Sequence, residues 1–182
     1  MGKGLVDELT KEFDVKVEWL GYEIHPETPR GGVLISSLFP RSRLVEMLQN
    51  LRLRGAPFGL SFTEMSILPN SKMVLIASEF ARENNRFDEF HELVFRSFFT
   101  NGRDIGHIEV IKEIAHDAGL NVDSLIDALS ERKYRARIDE VRQEAIENGV
   151  TSIPTFIIEE RERIIGAQQV DVFRDTMKKY VM

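Results

Sequence analysis

Val150-Thr151-Ser152-Ile153-Pro154-Thr155-Phe156-Ile157-Ile158 sets a proline directly ahead of a run of β-branched and aromatic residues. Such a run reads as a buried strand, and a proline lacking a backbone donor sits comfortably where a strand begins. Asn148-Gly149 just upstream is a helix stop, so the chain leaves a helix, turns at Pro154 and enters a strand within a few residues. About one X-Pro bond in twenty is cis in folded proteins, so spacing alone favours an ordinary trans proline. A cis Ile153–Pro154 bond would instead expose backbone N–H and C=O groups edge-on to an extended peptide.

Downstream, Thr155 to Glu159 and Glu162 to Ile165 read as two strands around a charged turn, and Val172, Phe173 and Met177 place an amphipathic helix behind them. The run Glu159-Glu160-Arg161-Glu162-Arg163 is most simply a solvated hairpin turn. Upstream, Leu5, Val6, Leu9 and Phe13 recur at helical spacing, and Val15-Lys16-Val17-Glu18-Trp19-Leu20 alternates as a strand does. Gly21 to Pro40 is an irregular excursion marked by prolines and a glycine pair. From Ser42 to Asn148 the period is helical almost throughout. Leu44, Met47, Leu48 and Leu51 share one face, and Met73, Ile76, Ala77 and Phe80 share another. Asn70-Ser71 offers side-chain oxygens to cap the second of these helices. Further helices are predicted over 87–98, 108–118, 123–129 and 133–147.

The 182 residues, 42% hydrophobic, suffice for one domain with a sizeable core. A net charge of -6 gives no support for binding a phosphate backbone, so nucleic acid is excluded as an expected partner. The first residues turn acidic at Asp7-Glu8 before an apolar leader can form, and no run of 18 apolar residues follows. The expectation is a cytoplasmic protein with no membrane contact. There is no cysteine, which removes disulfides, thiolate nucleophiles and cysteine-based metal sites.

Other constellations carry little chemistry. His25, His91, His107 and His116 lack metal-site spacing, and His91-Glu92 reads as part of a solvated helix face. Asn101-Gly102-Arg103-Asp104 lacks the alternating oxygen ligands of a calcium loop, and Ser36-Ser37 has no histidine pattern to activate it. No metal, no cofactor and no catalytic residue is assigned.

The order helix, strand, helical block, two adjacent strands, helix is that of an α/β thioredoxin fold whose first strand is absent. Gly149 to Phe156, followed by Gly166-Ala167-Gln168, resembles the cis-proline loop and the approach to the final helix in DsbA-like oxidoreductases of the FrnE type, relatives of 2-hydroxychromene-2-carboxylate isomerase and kappa glutathione transferase. The resemblance extends through Glu23-Ile24-His25-Pro26, Pro69-Asn70-Ser71, Phe87-Asp88-Glu89-Phe90-His91 and Gly102-Arg103-Asp104-Ile105, which span nearly the whole chain. It implies a thioredoxin-like sheet lacking its first strand, with a large helical insertion. The incomplete thioredoxin-like domain would be 1–40 with 149–182, and the insertion 41–148.

In that family a strand ends in Cys-Pro-x-Cys and a helix follows. The resemblance aligns Met1 just beyond the second cysteine, so Gly2 to Leu5 would form the helix N-terminus that favours a thiolate. It implies a substrate-binding rim of Ser152, Ile153 and Pro154, with Gly2 and Lys3 opposite. The expected partner is an extended peptide or a thiol substrate. The function implied is that of a protein-disulfide oxidoreductase or isomerase, N-terminally truncated and redox-inactive as the chain stands. A non-catalytic peptide-binding or assembly module and a glutathione-dependent isomerase or transferase are the alternatives. The missing strand would leave inner sheet edges unpaired, and a homodimer is expected to cover them.

Overall fold

The computed structural model describes residues 1–180. The chain opens with α1, Gly2–Glu12, whose Leu5 and Leu9 are buried at the i, i+4 spacing that puts both on one helix face. After a long irregular stretch come β1, Val33–Leu34, and α2, Ile35–Leu38, then α3, Arg41–Gly55, which ends in a 3₁₀ turn at Ala56–Phe58. β2, Ile67–Leu68, pairs antiparallel with β1. A helical block follows: α4, Lys72–Glu83; α5, Phe87–Phe95, running on into a π-helical turn at Arg96–Thr100; α6, Ile108–Asp117; α7, Val122–Ala128; and α8, Arg132–Glu147. The chain closes with β3, Thr155–Ile158, β4, Glu162–Ile165, and α9, Val170–Met177.

The helix boundaries follow local chemistry. Asn70 Oδ1 accepts the Lys72 N–H at 3.0 Å and Asn121 Oδ1 accepts the Ser124 N–H at 2.8 Å, satisfying donors that each first turn leaves free. α8 stops at Gly149, whose φ of 64° lets its N–H and that of Val150 turn back onto Ile146 and Ala145 C=O.

Two apolar clusters form. The larger joins α4 to α8 around Phe80, Phe90, Ile111, Leu125 and Ile138. The smaller gathers Leu5 and Leu9 of α1, Ile164 of β4, and Phe173 and Met177 of α9, with Val15, Phe58, Phe156 and Ile158 packed at its margin. A bidentate pair from Arg174 to Glu12 also ties α9 to α1. No helix among the described residues is long and apolar enough to cross a membrane.

The structure corrects three expectations. Val15–Leu20 is no strand: among the described residues, 14–24 make no backbone–backbone hydrogen bond. Val15 packs on the smaller cluster while Lys16, Val17 and Glu18 are exposed, and a strand exists only when a neighbour completes its ladder. The sheet is therefore reduced to the β3–β4 hairpin, with β1–β2 as a separate pair. Within the segment read as helical, 59–71 is irregular or extended. In α3 only Gly55 is buried and Met47 remains 38% exposed, because the helix lies outside both clusters.

Candidate functional site

The Ile153–Pro154 peptide is cis. The hydrogen bonds around it separate engaged groups from free ones. Thr155 Oγ1 donates to Ser152 C=O at 2.7 Å, and the Gly166 N–H donates to Pro154 C=O at 2.8 Å. Among the described residues the backbone N–H and C=O of Ile153 have no partner, and its side chain is 54% exposed. Ile153 thus presents a donor, an acceptor and an apolar side chain at the surface, the set that an extended peptide pairs with in β-fashion.

The N-terminus of α1 lies against this loop. A Cβ on Gly2 would stand 3.2 Å from Pro154 Cβ and Cγ and 3.6 Å from Phe156 Cζ, so only a glycine lets the helix approach without displacing the proline ring. One residue pair further in, a Cβ on Gly4 would stand 2.7 Å from Phe58 Cβ, which seats the same helix turn on the end of α3. No side chain caps α1, so the first N–H groups of the helix and the positive end of its dipole are left without a side-chain acceptor beside the Pro154 loop. Beside Met1 a cleft of about 370 Å³ opens between Arg54, Phe58 and residues 167–171 at the start of α9, bridged by an Arg54 hydrogen bond to Ala167 C=O at 2.5 Å.

Of the five residues expected to form the rim, Gly2 and Pro154 touch, and Ser152 and Ile153 lie on the same loop. Lys3 is drawn elsewhere. Its ammonium bonds Asp7 on its own helix at 2.7 Å and reaches Glu92 of α5 at 3.2 Å. Burial works against the Lys3 charge, but these two carboxylates outweigh it and raise its pKa above the ordinary lysine value.

Lys3 also brings α1 to a group that the sequence pattern did not reveal. His91, next to Glu92, is not on a solvated face. Its ring lies within 5.1 Å of Trp19, 5.3 Å of Phe87 and 4.5 Å of Phe95, centroid to centroid. Burial, with the Lys3 charge adding to it, pushes the His91 pKa down to about 4, so the imidazole is neutral at physiological pH. Arg82 completes this seam: its guanidinium lies 3.9 Å from the Phe87 ring centroid and donates to Trp19 C=O at 2.5 Å. Trp19, Arg82 and His91 are 63, 9 and 72 residues apart along the chain when taken in pairs, and no short-range spacing links them.

Comparison with known proteins bears on this arrangement. The family model for the DSBA-like thioredoxin domain matches residues 1–178. A Bacillus subtilis (strain 168) relative, the uncharacterized protein YwbO, is 29% identical over 177 residues, covering 95% of this chain and 86% of that protein. The crystal structure of a probable DsbA oxidoreductase from Streptomyces coelicolor superposes with a TM-score of 0.90 at 19% identity, over 98% of this chain and 82% of that one. The structure of 2-hydroxychromene-2-carboxylate isomerase gives 0.73 at 16% identity, over 97% and 86% of the two chains. At such identities the superpositions report a shared fold.

Proposed function

The chain belongs to the DSBA-like thioredoxin-domain family, and from that premise we propose that it is the peptide-engaging body of a protein-disulfide oxidoreductase or isomerase, redox-inactive as this sequence stands. One observation carries the reading: the unpartnered backbone edge and exposed side chain of Ile153 stand beside the N-terminus of α1 at Gly2. An extended substrate hydrogen-bonded to Ile153 would be held alongside the helix end best suited to stabilise a thiolate. Disulfide exchange requires a thiolate to attack a substrate sulfur, forming one S–S bond as the other breaks and releasing the second sulfur as thiolate. These 182 residues include no cysteine to make that attack. Binding is therefore the part of the reaction that these residues supply.

The experiment has two arms. In the first, an extended peptide containing a disulfide is titrated into the chain and followed by backbone NMR; shifts centred on 151–155 and on Gly2 are expected. Perturbation elsewhere alone would remove the groove. In the second, a strand ending in Cys-Pro-Tyr-Cys is fused ahead of Met1 and insulin reduction is measured. The fused protein should reduce insulin while the unfused chain does not. A silent fusion that still binds peptide would favour a non-catalytic binding module.

A further inference from the structure

We propose that the exposed side of α3 is a docking surface for an acidic amphipathic helix of another protein. The helix has two sides of different use. Leu44, Leu48, Leu51 and Gly55 recur every three or four residues and all are buried or half-buried, so this row faces the body of the chain. With about 100° of rotation per residue, Val45 and Leu53 fall off that row. They are 48% and 73% exposed, and neither belongs to the larger or the smaller cluster. A helix whose packing were complete within the chain would carry polar residues at both positions. Instead two aliphatic side chains stand in solvent, about 12 Å apart along the axis.

Charge selects the occupant. α3 holds four arginines and one acid, Glu46, in a chain of net charge -6. Arg43 takes Glu46 at 2.9 Å. Arg52 donates to Phe62 C=O and Arg54 to Ala167 C=O, bonds that hold the guanidinium groups without neutralising them. No carboxylate among the described residues pairs with Arg41 or Arg52, whereas other surface helices are balanced: Arg96 meets Glu92 on α5, Lys112 meets Glu109 on α6 and Arg174 meets Asp171 on α9. Positive charge left unmatched beside exposed aliphatic groups, on an otherwise acidic chain, fits a partner that brings its own carboxylates.

The spacing suits a helix. Arg41 and Arg52 border Val45 on one flank and lie about 16 Å apart along the axis, so acids three turns apart on an incoming helix would reach both, with leucines between them on Val45 and Leu53. A second α3 does not fit, because antiparallel pairing would set Arg41 of one copy against Arg52 of the other. A bilayer fits poorly too: Ser42, Gln49 and Asn50 share the outer side with Leu53 and would lose their water on insertion. The inference depends neither on thiol chemistry nor on the Ile153 edge, so it can fail while the proposed function stands, and the reverse.

The test uses the full chain and the peptide acetyl-Gln-Ala-Glu-Ala-Gln-Ala-Leu-Ala-Gln-Leu-Ala-Gln-Ala-Glu-Ala-Gln-amide, whose glutamates and leucines share one helix face. Isothermal titration at low salt should give saturable binding, with NMR shifts centred on 41–54. Replacing both glutamates by glutamine, or both leucines by serine, should weaken binding at least about fivefold. Leu53→Ser should weaken it by about threefold, with circular dichroism showing that the fold is kept. Arg41→Glu combined with Arg52→Glu should reverse the preference, so that a peptide with lysines in place of its glutamates binds better than the original. Absence of saturable binding would overturn the proposal, as would equal affinity for the glutamine peptide. Capture by phosphatidylglycerol vesicles, with the peptide refused, would assign the face to a bilayer instead. A dimer by light scattering that Leu53→Ser dissolves would assign it to a second copy.

Discussion

The two halves of the molecule solve the same problem differently. From α4 to α8 each helix meets its own backbone hydrogen-bonding needs and contributes an apolar face, so Phe90, Ile111, Leu125 and Ala128 are wholly enclosed. In the half built from α1, β3, β4 and α9, the helices are equally self-sufficient, but the strands depend on neighbours, and Val17, Ile157 and Ile165 remain 40%, 50% and 42% exposed. The difference teaches that a helical layer can be complete with the partners at hand, while a sheet is complete only when every interior edge is paired. The free backbone edge at Ile153 lies in the incomplete half for that reason.

The sharpest way to break this comparison is to remove a large side chain from each cluster. Phe90→Ala, at 0% exposure in the larger core, should cost about 3–5 kcal/mol by urea denaturation. Phe173→Ala, at 1% exposure in the smaller cluster, should fall at or below the low end of that range, about 3 kcal/mol, because its half-exposed neighbours can settle into the space. Equal costs would mean that the two halves are packed alike.

The seam between the halves should be pH-sensitive. Folded His91 stays neutral down to about pH 4, whereas in the unfolded chain it titrates near pH 6.5. Between those values the unfolded state binds the additional proton, so stability is unaffected by this group above pH 6.5 and declines as pH falls towards 4. The decline should amount to about 1–3 kcal/mol, less any relaxation of the ring towards water. Lys3 and Arg82 oppose the imidazolium, while Asp88 and Glu92 favour it. Denaturation midpoints measured from pH 7 to pH 4 for the parent and for His91→Phe should diverge, with the variant losing less.

Arg82→Leu should loosen the Trp19 end of 14–20 by removing the bond to Trp19 C=O and the contact with Phe87. A cost of about 1–2 kcal/mol is expected, accompanied by sharper NMR resonances from 14–20. Unchanged resonances there would show that the segment is held by other contacts. The smallest expected effect is a gain. Glu159 and Glu160 occupy the hairpin turn at φ of 52° and 55°, a left-handed region that suits Asn and Gly far better than Glu. Glu160→Gly should stabilise the chain by about 0.5–1 kcal/mol, read as a raised melting temperature, and should leave the larger core untouched.

The helices were legible because their signals are local. Met73, Ile76, Ala77 and Phe80 carry the period, and Asn70 and Gly149 mark ends that the structure places within a residue or two. The β3–β4 hairpin was legible for the same reason, with two apolar runs separated by a turn. Of the residues expected at the rim, Gly2 lies against Pro154, whereas the Lys3 ammonium is directed away. Its spacing from Gly2 says nothing of Asp7 and Glu92, which claim its ammonium.

By itself, then, the sequence determined the helices, the closing hairpin, the position of Pro154 and the absence of cysteine, all properties of neighbouring residues or of composition. Only the tertiary structure decided that Val15–Leu20 has the pattern of a strand without being one, that α3 buries almost nothing, and that His91 is enclosed by Trp19, Phe87 and Phe95. Hydrogen bonds across a ladder, desolvation of a ring and the covering of a helix face each require a partner from elsewhere in the chain. A periodic pattern announces the need for that partner without supplying it.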